Sequence, residues 1–225
     1  MPAVSTILRS LLLIAAAYLL GSIPTAYLAG RWLKGIDIRR YGSGTVSGGT
    51  VYEQVARWAV IPVGLFDIAK AALPAWLGVQ LGLGLPVAAA AGLAAAAGHN
   101  WPIFLRFVGG RGLGCFLGIL LVIFPWGAPW LLGFLGVGKL FGSTAEWALA
   151  GVALLPLFAY LLGGSPTAIC LGAALLLLTV AKRLEANRRL LPPRGPERRR
   201  VLLRRLIWDR DIASHQDWLD RKPAS

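Results

Sequence analysis

Charge is scarce in this chain, and acidic charge is scarcer still. Only 15% of the 225 residues are charged, with ten Asp and Glu against 23 Lys and Arg. Soluble domains carry about 25% charged residues, so that class is excluded. Cysteine is nearly absent: Cys115 and Cys170 are the only two. Both fall in apolar stretches without metal-ligand spacing, and both are read as buried thiols. The chain also lacks an internal repeat, a low-complexity tract, a nucleic-acid-binding module and a Ser–His–Asp set. No glycine-rich stretch ends in Lys-Ser/Thr, so a Walker-type nucleotide loop is excluded. His215 and Asp220 are separated by four residues, a spacing that could pair a general base with an orienting carboxylate, but they stand in a polar tail without accompanying glycine, proline and arginine motifs and are read as chance. No metal site or cofactor is expected.

What fills the chain is apolar: 56% hydrophobic residues and a mean hydropathy of +0.65. A spanning helix needs about 20 mostly apolar residues, so an all-α polytopic membrane protein with about seven transmembrane helices is expected. The first span is placed from Thr6 to Gly30. Its apolar run is too long for a signal-peptide core and reads as retained. The second runs from Val55 to Val79, and an alanine-rich third reaches Gly98. Leu113–Phe124 and Trp126–Val137 flank Pro125 as a tight hairpin or one kinked passage. Trp147–Leu162 and Ala168–Ala181 complete the set. Residues 1–183 are read as an integral membrane domain and 184–225 as a basic tail, in which RRRVLLRRLIWDRDI forms an amphipathic surface helix.

The formal net charge of +13 is unevenly spread, for eleven of the 23 Lys and Arg lie between Lys182 and Arg210. The positive-inside rule and attraction to anionic headgroups account for this without nucleic acid. Placing the basic loops at 31–57, 106–111 and 182–210 in the cytoplasm puts the N-terminus outside and the C-terminus inside. An odd number of spans follows, and both glycine–arginine loops share one face.

Three polar constellations interrupt the apolar pattern. RRYGSGTVSGGT, residues 39–50, sets Arg39 and Arg40 beside Gly42, Ser43, Gly44, Thr45 and Thr50. Glycines let backbone N–H groups approach an oxyanion, and arginine offers a fork of donors suited to phosphate. The plain alternative is a flexible, solvated loop. GHNWPIFLRFVGGRG joins His99 to Gly109, Gly110, Arg111 and Gly112, although a lone histidine is more often a helix-end or core residue. Asp67 and Lys70 stand at i, i+3 inside an apolar span and can neutralise each other. Intramembrane ion pairs point by default to function, the alternative being Lys70 snorkelling to an interface.

The order of these motifs resembles the membrane-integral glycerol-3-phosphate acyltransferases that use acyl phosphate as donor. The resemblance rests on Gly21-Ser22-Ile23-Pro24, Asp37-Ile38-Arg39, Gly42-Ser43-Gly44, Asp67 with Lys70, Gly98-His99 to Pro102 and Phe104, and Gly109-Gly110-Arg111-Gly112. A late Asn187 with Arg189-Leu190, Gly195 and Glu197 completes the series. The resemblance implies attack by the sn-1 hydroxyl of glycerol 3-phosphate on the acyl-phosphate carbonyl, giving lysophosphatidate and phosphate at the cytoplasmic face of the cell membrane. It implies catalytic roles for Ser43, His99, Arg111 and Asn187. Substrate binding would fall to Arg39, Gly42, Gly44, Thr45, Thr50, Asp67, Lys70, Gly109, Gly110 and Gly112.

The chain departs from the family pattern at several polar positions. Thr45 and Thr50 stand for asparagines, Arg111 for a lysine, Cys115 for a threonine and Leu184 for a histidine. Two other readings therefore accompany the enzyme: a non-catalytic relative that binds a lipid phosphate or a partner, and a small transporter built on Asp67 and Lys70. Convergence of Arg39, Ser43, Arg111 and Asn187 on one cavity discriminates the first two.

Overall fold

The computed structural model describes residues 2–214 and 217. Ten α-helices and four 3₁₀ turns make up its regular structure, and the described residues contain no strand. In chain order the helices are α1 (Pro2–Gly21), α2 (Thr25–Lys34), α3 (Gly48–Gln54), α4 (Val60–Gln80) and α5 (Leu85–Asn100). They continue with α6 (Leu113–Ile123), α7 (Gly127–Leu140), α8 (Thr144–Leu161), α9 (Pro166–Glu185) and α10 (Pro196–Trp208).

Among the described residues, four stretches are long and apolar enough to cross a membrane: Val4–Lys34, Arg57–Gln80, Thr144–Leu161 and Pro166–Arg188. Helix α6 is apolar but shorter. The bundle is inside-out relative to a soluble protein. Large side chains such as Leu11, Leu65, Leu73, Leu157 and Leu177 are exposed on its outside, while alanines occupy much of its core. Lipid chains are as apolar as leucine, so small residues at the contacts, rather than water exclusion, let the helices associate.

Helix α5 forms the axis, packed against α1, α4, α6 and α9. Its buried face is Ala88, Ala91, Gly92, Ala95, Ala96 and Gly98. A Cβ at Gly21 would run into the Ala95 carbonyl, and one at Gly98 into the Tyr18 carbonyl. Glycine at both positions thus sets the distance between α1 and α5. On the far side of the bundle α7 packs on α8, with the rings of Trp130 and Phe158 stacked at 4.1 Å.

The first apolar run is broken where a single span was expected. Pro24 has no N–H to continue α1 and disfavours a helical Ile23 before it, so the chain turns at Ser22–Pro24 and restarts as α2. Pro125 separates α6 from α7 as two helices. The second cysteine corrects the sequence reading: Cys115 is buried, but Cys170 is exposed on α9, because it falls on the outward side of a helix whose buried positions are Ala168, Leu171, Gly172 and Leu175.

Chain alternation places the 35–59 loop, the 101–112 loop, the α7–α8 turn and the end of α9 at one end of the bundle. Hydrogen bonds between them confirm the grouping: Val46 N–H donates to Gly109 O at 3.2 Å, and Asn187 reaches both glycine loops.

Candidate functional site

The first glycine loop is shaped by its own hydroxyls. Gly42 (φ 49°) and Gly44 (φ 65°) take left-handed conformations that other residues resist. Ser43 Oγ accepts from the Thr45 N–H at 3.1 Å and lies 3.3 Å from Thr50 Oγ1. Thr50 Oγ1 donates to Thr45 O at 2.7 Å, and Ser47 caps α3 through the Thr50 N–H. The loop is an ordered hydroxyl cradle.

A cavity of about 570 Å³ opens beside that cradle. Gly42, Ser43, Thr45, Ser47 and Thr50 line one wall; Arg111, Lys139, Thr144 and Asp209 line the others. Arg111 comes from the second glycine loop and Lys139 from the last turn of α7. Two cations therefore face a wall of hydroxyl groups, an arrangement suited to an oxyanion that has shed its water. Glu53 also borders the space, so the cavity is not uniformly positive.

Arg39 stands outside this lining. Its Nε donates to Asp37 Oδ1 at 2.9 Å and its Nη2 to Oδ2 at 2.6 Å, and its guanidinium lies 5.1 Å from the Tyr27 ring centre. Hydrogen bonding from Arg39 holds the Asp37 carboxyl below its ordinary range, and the same bond raises the Arg39 guanidinium. Asp37 also accepts from the Arg39 N–H at 3.1 Å, capping the 3₁₀ turn Ile38–Arg40.

Asn187 is the fastener between loops. Its Oδ1 accepts from the Gly109 N–H at 3.2 Å, and its Nδ2 donates to Gly109 O at 3.2 Å and Gly44 O at 3.3 Å. It sits in a left-handed turn, with φ of 46°, 55° and 61° at Ala186, Asn187 and Arg188. Non-glycine residues pay about 1–2 kcal/mol each for that conformation, so the surrounding contacts must hold the turn in place. Arg189 follows and donates through Nη2 to Ser43 O.

Beneath the loops lies a buried polar cluster. Lys70 Nζ is 2.8 Å from Asp67 Oδ1, 3.0 Å from His99 Nδ1 and 3.1 Å from Ile23 O. Thr25 Oγ1 donates to the same Asp67 oxygen at 2.8 Å. The cluster thus ties the α1–α2 break to α4 and α5. Lys70 Nζ and Asp67 Oδ1 each have several partners within it, and Gly110 closes over it: a Cβ there would run into His99 Nε2. A Cβ at Gly109 would meet the His99 and Asn100 carbonyls, and one at Gly112 would lie 2.7 Å from Asn100 Oδ1. The three glycines let the second loop pass across the end of α5.

The residues singled out from the sequence thus divide into three groups. Gly42, Ser43, Thr45, Thr50 and Arg111 line the cavity; Gly44, Gly109 and Asn187 are joined behind it; Asp67, Lys70, His99, Gly110 and Gly112 build the support below. Of the four residues proposed as discriminating, Ser43 and Arg111 meet in the cavity, Asn187 binds its back wall, and Arg39 holds the loop from outside. His215 and Asp220 lie outside the described residues. Sequence reasoning missed Lys139 and Asp209 as cavity residues. Lys139 was visible as a lone cation ending an apolar helix, whereas nothing in the sequence brings Asp209 back to Arg111.

Comparison with known proteins supplies the context for this geometry. Residues 11–192 match the family model described as glycerol-3-phosphate acyltransferase. Glycerol-3-phosphate acyltransferase 5 of Dehalococcoides mccartyi is 37% identical over 93% of this chain and 92% of its own length. The glycerol-3-phosphate acyltransferase of Geobacter sulfurreducens is 34% identical over 81% of this chain and 94% of its own. A crystal structure of PlsY, an integral membrane glycerol 3-phosphate acyltransferase, in its glycerol 3-phosphate form superposes with a TM-score of 0.72 at 28% identity. That likeness covers 79% of this chain and 89% of PlsY.

Proposed function

The chain belongs to the glycerol-3-phosphate acyltransferase family, and on that premise we propose how its cavity acylates glycerol 3-phosphate. It is an enzyme of phospholipid synthesis and an integral membrane protein. The donor is acyl phosphate. The sn-1 hydroxyl of glycerol 3-phosphate attacks the acyl carbonyl carbon, the carbonyl–phosphate C–O bond breaks, and the hydroxyl proton leaves on the departing phosphate. Lysophosphatidate and inorganic phosphate are the products.

The observation that carries this reading is the cavity in which Ser43 and Thr50 face Arg111 and Lys139. An acyl phosphate already has a good leaving group, so the protein's task is to bring two anions together and stabilise charge developing on the carbonyl oxygen. Arg111 and Lys139 supply the positive charge. Ser43, fixed by the Thr45 N–H, and the loop backbone supply hydrogen bonds. Arg39 and Asn187 keep the loops in register, and the Asp67–Lys70–His99 cluster holds the floor. The transport reading loses its support here, because Asp67 and Lys70 are buried and mutually satisfied and line no part of the cavity.

The proposed setting is the cell membrane, crossed seven times, with the N-terminus outside and the cavity cytoplasmic. The cations gathered at the cavity end support this orientation. Exposed arginines of α10, Arg199 and Arg200, would rest against anionic headgroups.

The test is turnover by the purified protein with palmitoyl phosphate and glycerol 3-phosphate, following phosphate and lysophosphatidate together. Equimolar formation of both supports the proposal. Phosphate release without lysophosphatidate would show a hydrolase and reject it.

A further inference from the structure

The C-terminal segment folds back onto the cavity, although the family match ends at residue 192. Helix α10 packs against α8 and α9, with Val201 and Arg205 buried beneath it. Arg183 of α9 donates through Nη1 to Leu206 O at 2.7 Å and Ile207 O at 3.1 Å, binding the carbonyls that the end of α10 leaves open. The chain then turns through a left-handed Asp209 (φ 53°). Two carboxylates follow, each on a different loop support. Asp209 Oδ2 accepts from Arg111 Nε at 2.8 Å. Asp211 accepts from Arg189 Nη1 at 3.3 Å and from Arg205 Nε at 2.6 Å, and Arg189 in turn holds Ser43 O.

The Asp209 contact sets the aim of the cavity's arginine. Arg111 spends Nε on Asp209 and directs Nη1 towards Lys182 O at 3.4 Å, so a long, otherwise mobile side chain is fixed at two of its nitrogens. Nη2 makes no hydrogen bond among the described residues. Stability alone does not explain the pair: Asp209 Oδ1 is buried without a hydrogen-bond partner among those residues, which costs rather than stabilises.

We propose that Asp209 is a positioning residue, which orients the Arg111 guanidinium towards the phosphate of glycerol 3-phosphate, so that the C-terminal segment contributes a carboxylate to the site. The inference rests on the reading that Arg111 supplies positive charge in the cavity, and it assigns that charge to the phosphate of glycerol 3-phosphate. Placing a carboxylate near an anion site repels the anion, so orientation and repulsion predict opposite signs. If orientation dominates, losing Asp209 weakens glycerol 3-phosphate binding; if repulsion dominates, losing it strengthens binding.

The experiment compares wild type, Asp209→Ala, Asp209→Asn and Arg111→Ala as full-length protein, measuring KM for glycerol 3-phosphate, kcat and the thermal midpoint. Asp209→Ala is expected to raise KM about tenfold, the scale of one charge-assisted hydrogen bond, with kcat changed far less. Asp209→Asn, whose carbonyl oxygen still accepts from Nε, should recover part of that loss, and recovery of this kind at an unchanged midpoint separates orientation from folding. An unchanged or lowered KM in Asp209→Ala, with Arg111→Ala inactive, overturns the proposal while leaving the site intact. Wild-type kinetics in Arg111→Ala would instead reject the site on which it rests. Should Asp209→Ala not fold, Asp209→Asn decides alone: a KM raised about threefold supports orientation, and one at or below wild type overturns it.

Discussion

Asn187 pairs with both ends of Gly109, accepting from its N–H and donating to its carbonyl, each at 3.2 Å. The third bond of the same amide, to Gly44 O, welds the two glycine loops into one surface. Asn187→Asp keeps the acceptor but loses both donors, leaving two carbonyls facing a carboxylate. A loss of about thirtyfold to 150-fold in kcat/KM is expected for both Asn187→Asp and Asn187→Ala, from two or three hydrogen bonds of about 1 kcal/mol each. Steady-state kinetics of the two variants check this. Asn187→Asp at wild-type rates would show that the loops do not depend on the clamp.

The buried cluster makes a prediction about stability. Asp67→Ala leaves the Lys70 ammonium without its 2.8 Å partner, and removing one member of a buried pair costs about 3–5 kcal/mol. Asp67→Asn with Lys70→Met should be less harmful than Asp67→Ala alone, since it removes both charges. Thermal unfolding in detergent reads the order directly.

Glycine positions give a paired test. Gly110→Ala forces a Cβ into His99 Nε2 and the Val46 carbonyl, while Gly133→Ala on α7 meets nothing within 4 Å. Gly110→Ala is expected to lose most activity and several degrees of thermal midpoint. Gly133→Ala should match wild type or gain slightly, because alanine favours a helix by about 1 kcal/mol over glycine.

How much of this was legible beforehand depended on the kind of interaction. The all-helical apolar bundle follows from composition and run length, and several boundaries shift by only a few residues, as between Val55 and Val60 at the start of α4, although among the described residues four stretches are long and apolar enough to cross a membrane. The break at Ser22–Pro24 was present in the proline but hidden by the apolar residues around it. Ser43 and Arg111 could be proposed because glycine, hydroxyl and cation stood close in sequence. Arg39 looked equivalent to Arg111 in that pattern; both pair with a carboxylate, Asp37 and Asp209, and what separates them is that Arg111 lines the cavity and Arg39 does not. Lys139, Arg189 and Asp209 reach the site through tertiary packing, which local sequence does not encode. Cys170 shows the same limit, since an apolar neighbourhood does not reveal which side of a helix faces outward.

The Asp37–Arg39 pair makes a pH prediction. Hydrogen bonding from Arg39 depresses the folded-state value of Asp37 below 3.8. The pair's contribution to stability is therefore complete above that ordinary value and lost as pH falls through the lower folded one. The pair is partly exposed, so its size is under about 1 kcal/mol. The difference in thermal midpoint between wild type and Asp37→Asn should be small at pH 6 and vanish in stronger acid; a difference that grows on acidification would contradict the assignment. Arg39→Ala should accordingly reduce turnover less than Arg111→Ala does.

The most direct test of the whole account is turnover of palmitoyl phosphate and glycerol 3-phosphate by wild type and Arg111→Ala, with both proteins shown to be folded by their thermal midpoints. The account predicts lysophosphatidate and phosphate in equal amounts from wild type, and neither above the protein-free control from the variant. Equal rates from the two proteins would contradict it, because the cavity's arginine would then take no part in the reaction.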